Sequence, residues 1–199
     1  MDILLASSNE HKKHELEIIL KDHVLHTPKE FNISFDCDEN ALTFKENALI
    51  KARALRDVSA SINMPVMADD SGLVVNSLPG LLGVKTARFG SPDGVTILPA
   101  DEKNRLLLEM MKNKTDRSAC FYCAIAFIYP DGKTFTTLGK APGYILTQPV
   151  GNGGFGYDPV FFNTEANSPS ALLSVEEKNL YGHRGKAVRQ LLELIKEIQ

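Results

Sequence analysis

The chain has 199 residues, of which 43% are hydrophobic and 24% charged, values typical of a globular protein with a substantial core. Its net charge is −3 and its 22 Lys and Arg residues are scattered, so the composition argues against a nucleic-acid polymer as partner. The N-terminus begins with strand-like residues, and no apolar run is long enough to span a membrane. We therefore expect a cytoplasmic protein without a membrane partner, folded as a single domain over residues 1–199.

The first predicted elements are a strand and a helix, joined by a short polar loop. Ile3–Ala6 is an apolar run typical of a central strand, and Leu16, Ile19 and Leu20 then recur at helical spacing. The start of this helix offers free N–H groups to an anion, and Lys12 is placed to add a full positive charge. The alternative is an ordinary cap, in which a Ser or Asn side chain bonds those N–H groups.

An acidic loop over residues 36–40 precedes a second predicted helix, which opens with a capping-box pattern at Thr43 and Glu46. Asn47 and Lys51 lie four residues apart on this helix, so their side chains share a face. A lysine beside an apolar stripe commonly buries only its stem, so Lys51 is either a surface cation or a site residue. The predicted buried stripe consists of Phe44, Ala48, Ala52 and Leu55.

The most informative stretch is residues 66–75. Two apolar runs, Val66–Ala68 and Leu73–Val75, enclose the pair Asp69 and Asp70 and the hydroxyl of Ser71. This order predicts two carboxylates at a strand end, where ligands collect in α/β sheets, and hence a candidate metal or general-base site. Because Asp, Ser and Gly also favour turns, the alternative is an ordinary turn.

The second half of the chain continues the alternation of strands and helices, which indicates an α/β fold. Its predicted elements are a helix over 100–111, strands over 121–129, 134–138, 144–146 and 160–162, and two C-terminal helices. The first of these helices opens with a capping box at Ser174 and Glu177 and is predicted to break over 182–185. The closing helix has an apolar face made of Val188, Leu191, Leu192, Ile195 and Ile198.

Residues 151–159 contain too much glycine for a regular element. Glycine lets the backbone approach a ligand closely, and Phe155 and Tyr157 present aromatic faces on which a base could stack. A plain surface loop is the alternative, although two aromatic rings are unusual in such a loop. The segment is therefore a candidate binding loop.

The candidate residues suggest a ligand that is anionic, metal-bound and aromatic. Carboxylates hold magnesium, the side chains of Lys12, Lys51, Lys178 and Arg184 neutralise phosphates, and aromatic rings take a base. A nucleoside triphosphate combines these three properties. The sequence contains no Walker lysine motif, kinase signature, zinc-ligand spacing or nucleophile elbow.

Six motifs, in order and over nearly the whole chain, resemble the inosine/xanthosine triphosphate pyrophosphatase family. Each motif is weak alone, and the specificity of the resemblance lies in their common order. The motifs are Ser7-Ser8-Asn9 with Lys12 and Glu15, residues 43–48 with Lys51, residues 68–73, Gly83-Val84 with residues 87–89, residues 153–159, and residues 183–185.

The resemblance implies a fold, an activity and an assembly. The implied fold is α/β, an elongated mixed β-sheet flanked by helices, with the nucleotide in a cleft between two lobes. The implied reaction is magnesium-dependent hydrolysis of deaminated purine nucleoside triphosphates (ITP, dITP, XTP) to the monophosphate and pyrophosphate, which cleanses the nucleotide pool. The implied assembly is a homodimer.

The resemblance also implies site residues. It makes Asp70 the proton acceptor and a magnesium ligand, places Asp69 beside it, adds Lys51 to the catalytic residues, and puts a second metal contact near Glu39. The triphosphate falls on Ser7, Ser8, Asn9, Glu10, His11 and Lys12. The base and sugar fall on Ser71, Phe155, Gly156, Tyr157, Asp158, Lys178, His183 and Arg184.

Two other functions compete with this one. The related septum-inhibition-type pyrophosphatase family removes modified pyrimidine nucleotides with a similar architecture, and substrate profiling separates the two. A nucleotide- or RNA-binding module without catalysis is the second alternative. Such a module has no use for adjacent carboxylates, which repel phosphate unless a cation intervenes.

Overall fold

The computed structural model describes residues 1–196. The strands are β1 (Asp2–Leu5), β2 (Val24–His26), β3 (Val66–Val75), β4 (Ser118–Ile128), β5 (Thr134–Ile145), β6 (Phe161–Asn163) and β7 (Ser168–Pro169). The α-helices are α1 (Glu10–Ile19), α2 (Phe44–Val58), α3 (Ala100–Met110), α4 (Val175–Tyr181) and α5 (His183–Lys196). Ile198, predicted for the apolar face of the last helix, lies outside the described residues. Over residues 1–196, every helix is too short or too polar to cross a bilayer.

The described strands form one mixed sheet in the order β2-β1-β3-β4-β5-β6-β7. β1 is parallel to both β2 and β3, whereas β6 is antiparallel to both β5 and β7. Leu4 pairs with Val66 and Leu5 with Met67, so the strand that carries the two aspartates lies beside the first strand of the chain. The prediction of an α/β fold with a mixed sheet and helices is confirmed.

The chain divides into two compact units. The first contains Met1–Asp70, Cys123–Gly139 and the C-terminal segment from Arg184 onward, and the second contains Ser71–Tyr122 and Lys140–His183. The single domain and the nucleotide cleft between two lobes stay predictions.

Two apolar clusters in the first unit account for the positions of its helices. Met67 of β3 packs with residues of α1 and α5, among them Leu16 and Leu191. Ala68, the next residue of β3, packs instead with residues of α2, among them Leu55. Because successive side chains of a strand point to opposite faces, α1 and α5 cover one face of β3 and α2 covers the other. The second unit has its own cluster, in which α3 contributes Leu107.

Three local predictions were wrong. The stretch 66–75 is one continuous strand, so the aspartates lie neither at a strand end nor in a turn. The predicted strands 134–138 and 144–146 are joined in the single strand β5, which ends at Ile145. Gly143 of β5 lets β6 approach, since a β-carbon there would collide with the carbonyl of Phe162. The predicted break over 182–185 is confined to Gly182, whose N–H bonds the carbonyl of Lys178 at 2.8 Å before α5 begins at His183.

Candidate active site

The N-terminus of α1 is capped by Asn9. Its Oδ1 accepts hydrogen bonds from the backbone N–H groups of His11 and Lys12 at 3.1 and 3.2 Å. Ser7 Oγ accepts in turn from the N–H of Asn9 at 3.2 Å, while Ser8 is exposed. The local side chains thus provide the cap, and the predicted role of Ser7–Lys12 in holding a triphosphate stays a prediction.

The two adjacent aspartates of β3 point to opposite faces of the sheet, as neighbouring residues of a strand must. Asp69 shares its face with Met67 and contacts Lys12 of α1 and Arg184 of α5. Asp70 points to the side of α2 and contacts Asn47. The carboxylates therefore occupy different environments although they are consecutive in sequence.

Asp69 is the anion of a buried ionic cluster. Its Oδ2 lies 3.0 Å from Lys12 Nζ and 3.3 Å from an Arg184 guanidinium nitrogen, and only 1% of the Asp69 side chain is exposed. Arg184 also pairs with Glu15. Burial alone raises the pKa of Asp69, but the charges of Lys12, Arg184 and Lys51 outweigh it and hold this pKa well below its usual value. Asp69 is therefore a fixed, ionised group.

Asp70 is the carboxylate whose pKa moves upward. It is 7% exposed, and its Oδ2 accepts a hydrogen bond from Asn47 Nδ2 at 3.2 Å. Burial raises the pKa of Asp70 more than the charges of Lys51 and Lys12 lower it, and the charge of Glu39 adds to the rise. Of the two aspartates, Asp70 thus has the greater affinity for a proton, which is the property that a general base needs.

Lys51 joins the Asp69–Asp70 stretch to the acidic loop. Its Nζ lies 2.6 Å from Glu39 Oε2 and donates a hydrogen bond of 3.0 Å to the backbone carbonyl of Asp69. Burial lowers the pKa of Lys51, but Asp69 and Glu39 outweigh it and the pKa is raised. Lys51 is therefore a positive charge held beside β3 rather than a surface cation.

The donor set of Asp70 and Glu39 fits a hard divalent cation. Mg²⁺ binds through one or two carboxylates together with waters and substrate phosphates. Burial is the main cause of the raised pKa of Asp70 and the charge of Glu39 adds to it, so a cation bound by these two carboxylates would stabilise the charged form of Asp70. Over residues 1–196, no three His, Cys, Asp or Glu side chains form a dedicated metal cage.

The glycine-rich loop of the second unit is built around Asp158. Its Oδ2 accepts a hydrogen bond from the backbone N–H of Phe155 at 3.0 Å and an ion-pair contact from Lys178 Nζ at 2.6 Å. Gly154 has a φ of +74°, and a β-carbon there would collide with both charged groups of this pair. The glycine is thus required for the ion pair as well as for the turn.

Tyr157 is a core residue of the second unit. Its ring packs edge-on against Phe89, its hydroxyl donates to the carbonyl of Thr86 at 3.0 Å, and burial raises its pKa. The preceding carbonyl, of Gly156, accepts a hydrogen bond of 3.0 Å from the buried Asn104. Phe155 is half-buried, so it is the aromatic residue of this loop that is better placed for stacking on a base.

His183 stacks on Phe121 with ring centroids 4.8 Å apart and an interplanar angle of 12°. One face of the imidazole is therefore covered, which fixes the plane in which its nitrogens lie. Ser71, in β3 of the same unit, is half-buried. Arg184 follows His183 directly but belongs to the first unit, in the cluster around Asp69.

The structure thus brings the predicted residues into two groups. Lys12, Lys51, Asp69, Asp70, Glu39 and Arg184 are linked through contacts in the first unit, and Phe155, Gly156, Tyr157, Asp158 and Lys178 in the second. Sequence reasoning gave no role to Asn47, Glu15, Asn104 or Phe121. For two of them the sequence did contain a signal of a role in the site: Asn47 lies four residues before Lys51, and Glu15 belongs to the first motif. Asn104 and Phe121 had none.

Comparisons with known proteins agree over the full length of the chain. The profile of the Ham1 family matches residues 3–194. A dITP/XTP pyrophosphatase from Treponema denticola is 40% identical over 196 residues, covering 98% of this chain and 99% of that protein. One from Escherichia coli K12 is 38% identical over 200 residues, covering 98% of each. The solved structure of the Staphylococcus aureus Ham1 protein matches with a TM-score of 0.84 and 32% identity over 100% of both chains.

Proposed function

This chain belongs to the Ham1 family, and we propose that it hydrolyses deaminated purine nucleoside triphosphates (ITP, dITP, XTP) to the monophosphate and pyrophosphate. It is a nucleoside-triphosphate pyrophosphatase, as the full-length relatives named dITP/XTP pyrophosphatase support. The resemblance inferred from the six motifs is thereby confirmed. The observation that carries the mechanism is the difference between the two aspartates, since burial prepares Asp70 to take a proton while Asp69 is held ionised by cations.

In the proposed reaction, a water oxygen attacks the α-phosphorus and Asp70 takes the proton that the water loses. The bond between the α-phosphorus and the bridging oxygen breaks, and pyrophosphate leaves with the electron pair. Asp69 is not the base in this scheme, because Lys12 and Arg184 both bind its carboxylate. The role of Asp69 is to hold the side chains of Lys12 and Arg184 on one face of β3.

We propose that Asp70 and Glu39 bind a divalent metal ion and that this ion is Mg²⁺. A divalent cation there supplies positive charge to the phosphate oxygens as their negative charge spreads in the transition state. Lys51 adds a permanent positive charge beside the same carboxylates, held by Glu39 at 2.6 Å. The α1 N-terminus, from Ser7 to Lys12, contributes a positive dipole end to triphosphate binding.

The second unit is proposed to supply base recognition. Phe155 takes the face of the purine, while Lys178 and His183 present donors suited to the oxygen at its six-position. A site built around such a hydrogen bond leaves its donor unpaired when adenine presents an amino group there, and mismatches of this kind cost on the order of 10⁴-fold in specificity. Tyr157 supports the loop from within the core.

The proposed function is tested by identifying the product. The purified protein is incubated with Mg²⁺ and, separately, with dITP, XTP, dGTP, dATP and a modified pyrimidine triphosphate. We expect pyrophosphate and the monophosphate from dITP and XTP, and little turnover of dATP. Release of orthophosphate alone excludes attack at the α-phosphorus. Preference for the modified pyrimidine favours the septum-inhibition-type family, and nucleotide binding without hydrolysis, unchanged by chelator, favours a binding module.

Phe155→Ala is expected to raise KM and to change base preference. Stacking of a base on an aromatic ring is worth roughly 1–3 kcal/mol, or about 5- to 150-fold in affinity, and the loss depends on which base is bound. The measurement is kcat and KM for dITP and dGTP. Tyr144→Ala is the matched control, because Tyr144 is an exposed aromatic residue of the same unit that stacks on Phe162 outside the glycine loop. An unchanged ratio of dITP to dGTP turnover contradicts the stacking role.

We also propose that the protein assembles as a homodimer. Exposed apolar side chains are typical of a surface that is covered in an assembly, and the second unit exposes Leu172 before α4 and Val175 and Leu180 within it. Light scattering coupled to size-exclusion chromatography measures the mass directly. A mass of one chain across the working concentration range excludes the dimer.

A further inference from the structure

Asn47 connects Asp70 to the backbone at the end of the acidic loop. It lies in the first turns of α2, and only 1% of it is exposed. Its Nδ2 donates to Asp70 Oδ2 at 3.2 Å, and its Oδ1 accepts from the backbone N–H of Ala41 at 2.9 Å. Ala41 lies two residues after Glu39 in the sequence. One buried side chain thus bonds both sides of the proposed cation site.

These two partners need a side chain that can both donate and accept a hydrogen bond. An ionised carboxylate such as that of Asp70 only accepts hydrogen bonds, whereas the N–H of Ala41 only donates. A side chain that donates to one partner and accepts from the other satisfies both. The amide of asparagine carries a donor and an acceptor together on a short side chain. Leucine or alanine would leave a buried carboxylate oxygen and a backbone N–H without this partner.

The position of Asn47 on α2 also explains why it cannot move independently of the site. Ala48, Ala52 and Leu55 hold the helix against the sheet on the face to which Asp70 points. The start of the helix is fixed by Thr43, whose Oγ1 accepts from the N–H of Glu46 at 3.2 Å. The Asn47 amide is therefore held in a defined place, one turn before Lys51.

We propose that Asn47 is a positioning residue that fixes the Asp70 carboxylate and the Glu39-bearing loop relative to each other for cation binding. This inference rests on the proposed function, and it adds a residue to which neither the motifs nor the paired cations had given a role. Asn47 acts through Asp70 and through the loop, without contacting substrate. Its hydrogen bond holds one carboxylate oxygen of Asp70, Oδ2, in place.

The experiment measures Mn²⁺ binding to nucleotide-free protein by electron paramagnetic resonance, together with kcat and KM for dITP. Asn47→Leu retains volume without hydrogen-bonding groups, and Asn47→Ala removes the side chain. We expect each variant to weaken Mn²⁺ binding about 10- to 100-fold, the usual loss when a residue that orients a metal ligand is removed. At saturating Mg²⁺, kcat falls while KM for dITP stays within twofold. Arg53→Ala, at an exposed position of the same helix, is the control and leaves both quantities unchanged.

A folded Asn47 variant that binds Mn²⁺ as tightly as the unaltered protein overturns the proposal, as does an unaltered protein that binds no Mn²⁺. Because the variants remove buried hydrogen bonds and can unfold, hydrogen exchange of the Ala41 amide in the unaltered protein provides a second test. We expect protection of this amide, and exchange at the rate of an open loop contradicts the Asn47–Ala41 bond. If dITP yields no pyrophosphate, the proposed function fails, whereas Mn²⁺ binding and exchange still decide the role of Asn47.

Discussion

Asp70→Asn is expected to fold normally and to lose nearly all activity at saturating Mg²⁺. Loss of a general base alone lowers kcat about 10²- to 10⁴-fold, and weaker cation binding adds to this loss. The variant keeps its fold because the new amide can still present its oxygen to Asn47 Nδ2, which donates to Asp70 at 3.2 Å. The effect should appear in kcat measured with dITP across a range of Mg²⁺ concentrations.

The thermal stability of Asp70→Asn separates catalysis from folding. Because burial raises the pKa of Asp70, its charged form is disfavoured in the folded state and destabilises the protein above the unfolded pKa of about 4. A neutral amide removes that cost, so the variant should melt at the same or a higher temperature in chelator at pH 7. Asp101→Asn, at an exposed position of α3, is the control. Near-normal kcat in Asp70→Asn excludes Asp70 as the base.

The sequence predicted the elements well wherever a local signal determined them. Thr43 and Ser174 begin α2 and α4 as predicted, because their side chains accept hydrogen bonds from the N–H groups three residues ahead. Of these two positions, only Ser174 forms the reciprocal bond of a capping box, since Glu46 accepts from the hydroxyl of Thr43 and not from its N–H. The mistake at Asp69 and Asp70 has a physical cause. Local propensity disfavours aspartate inside a strand. In the folded protein, however, ion pairs with Lys12 and Arg184 offset the free-energy cost of burying the Asp69 charge. These partners lie far away in sequence, so no local pattern contains them.

The candidate site was predictable as a set of residues but not as a set of contacts. Charge type and motif order indicated Lys12, Lys51, Asp69 and Asp70. Asp69 and Asp70 differ in their surroundings because they point to opposite faces of one strand. Predicting this difference would have required knowing that residues 66–75 form a continuous strand. Asn104 supports the glycine loop from α3, 52 residues away in sequence, and nothing in its neighbourhood signals that role.

Asp69→Asn is expected to destabilise the fold rather than act mainly on the chemistry. Removing the charge leaves the buried Arg184 guanidinium and the Lys12 ammonium without their shared carboxylate, and Arg184 is only 3% exposed. Breaking a buried pair by removing one partner costs roughly 3–5 kcal/mol, which lowers the melting temperature of a chain of this size by about 6 to 20 °C. Differential scanning calorimetry measures this change, with Asp57→Asn at an exposed position of α2 as the control.

The pH dependence of the Asp69→Asn effect provides the sharper test. The folded-state pKa of Asp69 lies below its usual value, so its contribution to stability is fully present above the unfolded pKa of about 4 and is lost as the pH falls through the folded pKa. The difference in unfolding free energy between the unaltered protein and Asp69→Asn should therefore be constant from pH 7 to about pH 5 and shrink in more acidic solution. Arg184→Gln combined with Asp69→Asn should cost less than the sum of the two single changes, because both remove the same ion pair. Strict additivity, or a difference that does not change with pH, would mean that Lys12 and Arg184 do not stabilise the Asp69 carboxylate.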